Sequence, residues 1–136
     1  MKHLLSLTGA LLIMILSSVQ ADAAGKKPAS KIEFEQTSHD FGNIYEDRGP
    51  VTHIFEFTNN GDAPLVIVSA TASCGCTKPK YSPEPVRPGK KGTISVTYLP
   101  QNRPGEFDKT IKVRTNDPNN KRISLRISGT VIPGKK

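Results

Sequence analysis

The sequence predicts an all-β domain, a two-sheet antiparallel β-sandwich of about seven short strands. Three observations predict it. No stretch beyond residue 30 repeats apolar residues at the spacing of three and four that a helix requires. Several runs instead alternate strictly between apolar and polar residues, as a strand with one buried face does. Clusters rich in Asn, Asp, Gly and Pro separate those runs at short intervals.

The chain opens on Lys2 and His3, continues with the apolar run Leu4 to Val19, and then carries Ala21-Asp22-Ala23. This is the order of a secretory signal, residues 1–23, cut after Ala23. The run is shorter than the roughly 20 apolar residues of a membrane-spanning helix, and Thr8, Gly9, Ser17 and Ser18 interrupt it. A lipid anchor would need a cysteine at the cut, and the first cysteine is Cys74. The product is expected to be periplasmic or secreted, with no transmembrane segment left. Residues 24–30, Ala-Gly-Lys-Lys-Pro-Ala-Ser, lack apolar periodicity and are expected to form a disordered leader. The sandwich then covers residues 31–132 and a tail covers 133–136.

Within the domain, Ile32 and Phe34 alternate with charged residues, and Phe41 and Ile44 follow the Ser38-His39-Asp40 corner, so the first strand breaks and continues. Val51, His53, Phe55 and Phe57 share one parity against Thr52, Ile54, Glu56 and Thr58. Asn59-Asn60-Gly61-Asp62 ends that strand with a strong turn signal. Leu65 to Ser69 returns as a third strand, apolar on both parities, which suits the middle of a sheet or a contact with the leading segment. Pro85 and Pro88 confine Val86 to a short edge piece. Gly89 to Gly92 turns the chain into a strand whose buried face is Ile94, Val96 and Tyr98. Past Gly105, Phe107, Ile111 and Val113 point inward while Asp108, Thr110, Lys112 and Arg114 point outward. Asn116 to Asn120 closes a hairpin, and the last strand sets Ile123, Leu125, Ile127 and Val131 inward against Arg122, Ser124, Arg126 and Ser128. Phe55, Phe57, Tyr98 and Phe107 all have inward parity, so they belong to the core and form no stacking platform.

The formal charge is +7, and loss of residues 1–23 removes one cation, Lys2, and one acid, Asp22, which leaves it unchanged. A basic exported protein meets anionic surfaces such as acidic polysaccharide, lipid headgroups or peptides, although the same charge also serves solubility. Export removes nucleic acid from the natural partners. An unknown protein or an anionic glycan remains.

Taken in order, Ser38-His39-Asp40-Phe41-Gly42, Phe55-Glu56-Phe57-Thr58-Asn59 with Gly61, Pro64-Leu65, Ser73-Cys74-Gly75-Cys76-Thr77 and Pro88-Gly89 resemble a bacterial family of exported domains of unknown function. Its hallmark is the Ser-Cys-Gly-Cys-Thr loop. That family is similar to the immunoglobulin-like domains of the major sperm protein and of the hydin-related ASH group. The resemblance covers roughly residues 32 to 131. It implies an immunoglobulin-like sandwich and brings no activity, substrate or partner.

Cys74 and Cys76 are the only cysteines. Three readings compete for them. A disulfide would pin the loop locally, with Gly75 relieving the backbone of so small a ring. A dithiol would exchange with other disulfides or act as a redox switch, although no helix start or βαβ unit supports it. A soft-metal site would offer two thiolates to Cu(I), or to Zn(II) with further ligands. If the second and third strands form a hairpin about Asn60-Gly61, His53 lies opposite about residue 70 and approaches the strand leading to Cys74, with His39 on the same side. The ordinary alternative makes His53 a half-buried strand residue and His39 a corner residue. No catalytic motif or cofactor fingerprint is present, and acids such as Glu33, Glu35, Glu46 and Asp47 read as solvated charge. On the surface, a hairpin of the last two strands places Lys112, Arg114, Arg122 and Arg126 on one outer face, a patch suited to acidic glycans or carboxylate-rich peptides. The leading expectation is a non-enzymatic binding or structural module acting through this face, the Cys-Gly-Cys loop or a free sheet edge. The alternative is thiol redox or copper handling.

Overall fold

The computed structural model describes residues 27–135, and the expected signal lies outside them. Eight strands form two sheets of four: β1 (Ile32–Phe34), β3 (Val51–Asn59), β6 (Lys91–Tyr98) and β5 (Thr77–Tyr81) in the order β1-β3-β6-β5, and β2 (Ser38–Tyr45), β8 (Arg122–Ile132), β7 (Gly105–Thr115) and β4 (Ile67–Ala72) in the order β2-β8-β7-β4. The predicted sandwich is therefore present. The break in the first strand is a change of sheet between β1 and β2. Because both halves run in the same direction, β1 pairs antiparallel with β3 while β2 pairs parallel with β8, and the remaining pairings are antiparallel.

Each sheet buries the face that its alternation marks. Phe55, Phe57, Ile94, Val96 and Tyr98 come from one sheet, and Ile111, Val113, Leu125, Ile127 and Val131 from the other. Across the interface, the Tyr98 and Phe107 rings stack with centroids 3.9 Å apart. At two places a phenylalanine ring fills the space a side chain would need. A Cβ on Gly92 would lie 2.4 Å from the Phe57 ring, and one on Gly129 would lie 2.9 Å from Phe107, each phenylalanine sitting over the glycine opposite it in the ladder.

The expected hairpin about Asn60-Gly61 does not form, since β3 and β4 lie in different sheets. The chain crosses instead, and Leu65 makes an isolated bridge to Val86. The third strand, expected in the middle of a sheet or against the leading segment, lies at a sheet edge. Its apolar residues on both parities are explained by a bulge, because Val68 falls between the paired Ile67 and Ser69 and is 53% exposed.

Crossing segments have no ladder to satisfy their backbone groups, and buried polar side chains do so at one pole of the sandwich. Asn59 donates from Nδ2 to the carbonyls of Ala63 and Val86 and accepts at Oδ1 from the amides of Lys31 and Gly61. Asp117, buried in the β7–β8 turn, accepts from the amides of Ile32 and Asn119 and from Asn120 Nδ2. Ala29 and Ser30, expected in the leader, join this network: Ala29 exchanges bonds with Asp62, and the buried Ser30 hydroxyl donates to Asn116 Oδ1. At the opposite pole, Glu46 accepts from the amides of Asn102 and Gly134. No helix among the described residues is long and apolar enough to cross a membrane.

Asn59→Ala removes four hydrogen bonds at about 1 kcal/mol each and should lower the unfolding free energy by about 4 kcal/mol, read from urea unfolding. Burial by itself raises the Asp117 carboxyl, but its amide donors outweigh burial and hold its pKa below the ordinary carboxylate value. With the folded pKa depressed, the unfolded chain binds the proton more readily. The Asp117 contribution is therefore present above about pH 4 and lost as pH falls through the folded value. Thermal melts from pH 6 to 2 should show a smaller acid loss in Asp117→Asn, which starts from a lower stability.

Candidate functional site

Three regions hold the residues singled out in the sequence. The first is the crossover from β4 to β5, where Cys74 and Cys76 form a disulfide. Cys76 is a core residue, 1% exposed, and Cys74 is half-buried beside it. The Cys76 amide donates to Cys74 Sγ at 3.2 Å, and the Thr77 hydroxyl lies 3.6 Å from Cys76 Sγ. On a chain-entropy account, a bridge across one residue contributes only about 1.5 kcal/mol to the whole fold. Gly75 is not among the positive-φ residues, so the loop path itself does not require glycine there.

The second region is the histidine pair. With the hairpin absent, residue 53 does not face residue 70; His53 lies opposite Val96 on β6. His39 does come to His53. The two rings stack across the gap between the sheets at 3.7 Å and 6°, with Phe41 edge-on to His39 and Phe55 edge-on to His53. Burial, then the neighbouring charge of His39, lowers the His53 pKa. Among the described residues, no group of three His, Cys, Asp or Glu side chains converges on a metal position.

The third region is the outer face of the sheet that holds β7 and β8. The hairpin register sets Arg114 directly opposite Arg122 and Lys112 opposite Ser124. β4 adds Ser69 beside Arg114 and Thr71 beside Lys112. A shallow groove of about 350 Å³ runs along Thr71, Lys112, Arg114, Arg122 and Ser124. Arg126 stands apart from the other three cations. It lies beside Thr110 and makes a bidentate pair with Asp108, whose carboxyl the guanidinium holds below its usual pKa. Sequence reasoning placed the four cations and Ser124 on one face but missed this neutralisation, and it missed the Thr71 hydroxyl that β4 adds to the groove. The outward parity of Asp108 and the hairpin turn held the signal for the first; nothing in the sequence placed β4 beside β7. Among the described residues, Lys112, Arg114 and Arg122 pair with no carboxylate, whereas Lys91 on the other sheet is bridged to Glu56 and Glu35.

Free sheet edges are scarce. β1 has three residues, β2 is interrupted between Asp40 and Asn43, β5 carries Pro79 between Lys78 and Lys80, and the Tyr81 hydroxyl donates to the carbonyl of the bulged Val68 on β4.

The fold is shared with solved structures at low identity. A protein of unknown function from Porphyromonas gingivalis W83 superposes with a TM-score of 0.69 at 18% identity, over 82% of this chain and 51% of that one. The chain thus spans about half the length of that relative. The seventh PapD-like (ASH) domain of human CEP192 superposes at 0.60 with 13% identity, over 83% and 93% of the two chains. The secreted serine protease VesC from Vibrio cholerae superposes at 0.58 with 12% identity, over 77% and 24%. No curated protein matches the sequence. The family match covers the whole sandwich: over residues 32–131 the chain belongs to DUF1573, a family of proteins of unknown function.

Proposed function

We propose that this protein is an exported, non-enzymatic binding module that takes a carboxylate-bearing chain on the basic groove of Lys112, Arg114 and Arg122. One observation carries the reading. Two arginines sit directly opposite each other in the β7–β8 ladder with no carboxylate between them, although like charges facing across a ladder destabilise it. The same face neutralises Arg126 with Asp108, so suitable acids are compatible with this surface. A ligand carboxylate bridging the two guanidinium groups would relieve the repulsion with bidentate bonds, and Thr71 and Ser124 would add hydroxyls. Nucleic acid is set aside because export would keep the protein from it. Support for export comes from the signal-like order of residues 1–23 and from the secreted VesC neighbour. Support for a non-enzymatic role comes from the mature chain's two histidines, which are stacked on each other rather than set against a nucleophile.

Titration calorimetry with a polyglutamate peptide and with a uronic-acid oligosaccharide, each at low and moderate salt, tests the reading. Saturable binding to one of them should weaken as salt rises. Arg114→Glu with Arg122→Glu should reduce it at least tenfold, and Arg126→Glu should reduce it less. Binding to neither probe, or equal binding by the double variant, would overturn the assignment, and the preferred probe identifies the partner as protein or glycan.

A further inference from the structure

The disulfide does not hold this sandwich together. It closes a loop of one intervening residue at the pole opposite the Asn59 and Asp117 network and links no distant parts of the chain. Backbone bonds already set the path of the loop, from the Thr77 amide to the Cys74 carbonyl at 3.1 Å and from the Leu99 amide to the Cys76 carbonyl at 2.8 Å. Glycine at position 75 serves neither packing nor a left-handed turn, since a Cβ there would meet nothing within 4 Å. Its effect is to leave the bridge bare of the one side chain that could stand between the two cysteines.

The two sulfurs are also unequal. Cys74 is half-buried, the more exposed residue of the pair, and its Sγ receives an amide N–H, which favours a thiolate. Cys76 Sγ is buried in the core beside the Thr77 hydroxyl, a donor for a sulfur that leaves. We propose that Cys74–Cys76 is a reversible thiol–disulfide exchange site, in which Cys74 is the sulfur exchanged with a dithiol protein and Cys76 is the buried resolving sulfur. In the reducing direction, a partner thiolate attacks Cys74 Sγ. A partner–Cys74 bond forms as the Cys74–Cys76 bond breaks, and the electron pair stays on Cys76 Sγ, which takes a proton from solvent while the Thr77 hydroxyl donates to it. The partner's second thiol, deprotonated, then attacks its own sulfur in the mixed disulfide, and Cys74 leaves as a thiolate facing the Cys76 amide. Two electrons pass from the partner, which becomes a disulfide, to the pair, which becomes a dithiol. Run in reverse, the site delivers a disulfide to a reduced partner. Each residue of Cys74-Gly75-Cys76-Thr77 then has a part in the chemistry, and neither the basic groove nor its ligand enters it.

The test equilibrates the intact protein with glutathione buffers of graded redox ratio, followed by alkylation, intact mass and far-ultraviolet dichroism. The pair should pass from disulfide to dithiol while the fold stays intact. With glutathione disulfide, Cys76→Ala, which keeps Cys74, should form the mixed disulfide at least tenfold faster than Cys74→Ala. Thr77→Val should slow reduction of the intact pair several-fold at unchanged dichroism. A bridge that stays closed in excess dithiothreitol, or opens only as the domain unfolds, overturns the proposal, and so does equal or faster reaction at Cys76. Should either single variant fail to fold, fragmentation mass spectrometry of the first glutathione adduct on the wild-type protein decides between the two sulfurs.

Discussion

The two sheets are joined by apolar contact and by strand crossings, and the crossing from β3 to β4 depends on the polar network around Asn59 and Asp117. A crossing takes backbone amides and carbonyls out of their ladder while keeping them near the core, where an unmet group costs about 1–3 kcal/mol. Asn59 meets four such groups with one side chain because an amide both donates and accepts. Asp117 accepts only, and what reaches it are N–H donors, one of them Ile32 from the opposite sheet. That bond is a polar link between the sheets, and it fixes where the first strand begins. The adjacent Asn116 extends the link by accepting from Ser30 and Val66 and donating to Pro64.

This network also explains why a strong local signal gave the wrong local structure. Asn59-Asn60-Gly61-Asp62 has the composition of a hairpin turn, and composition alone cannot say whether the chain after a turn rejoins its own sheet. Here the Asn59 side chain is engaged with Ala63 and Val86, and Leu65 pairs with Val86, which directs the chain to the other sheet. The distance inferred from that hairpin between His53 and the cysteine loop fell with it. The stacking of His53 on His39 depended on β2 lying across from β3, a tertiary fact outside the reach of alternation.

Other features were legible because they depend on parity. Tyr98, Phe107, Leu125 and Ile127 are buried where alternation puts them, and the outward cations of β7 and β8 share a face because the Asn116 to Asn120 turn does close a hairpin. Lateral order was not legible. That β4 flanks β7 and brings Thr71 beside Lys112 follows from the sheet order, and no pattern within either strand encodes it.

Fold and surface chemistry are separable here for a geometric reason. In β7 and β8 the inward residues Ile111, Val113, Leu125 and Ile127 hold the ladder in register, and that register sets the spacing of Lys112, Arg114 and Arg122 on the other side. A cation placed by a strand whose opposite face is fully buried has a backbone that does not adapt to its ligand, so selectivity must come from side-chain reach and from the charge of the partner. The repulsion between Arg114 and Arg122 is then a cost borne by a hairpin with core packing to spare, and the sheet tolerates it without a compensating acid. The cysteine loop is separable in the same way, since the backbone bonds of Thr77 and Leu99 that set its path do not involve the sulfurs, and the polar network that the β3-to-β4 crossing depends on lies at the other pole.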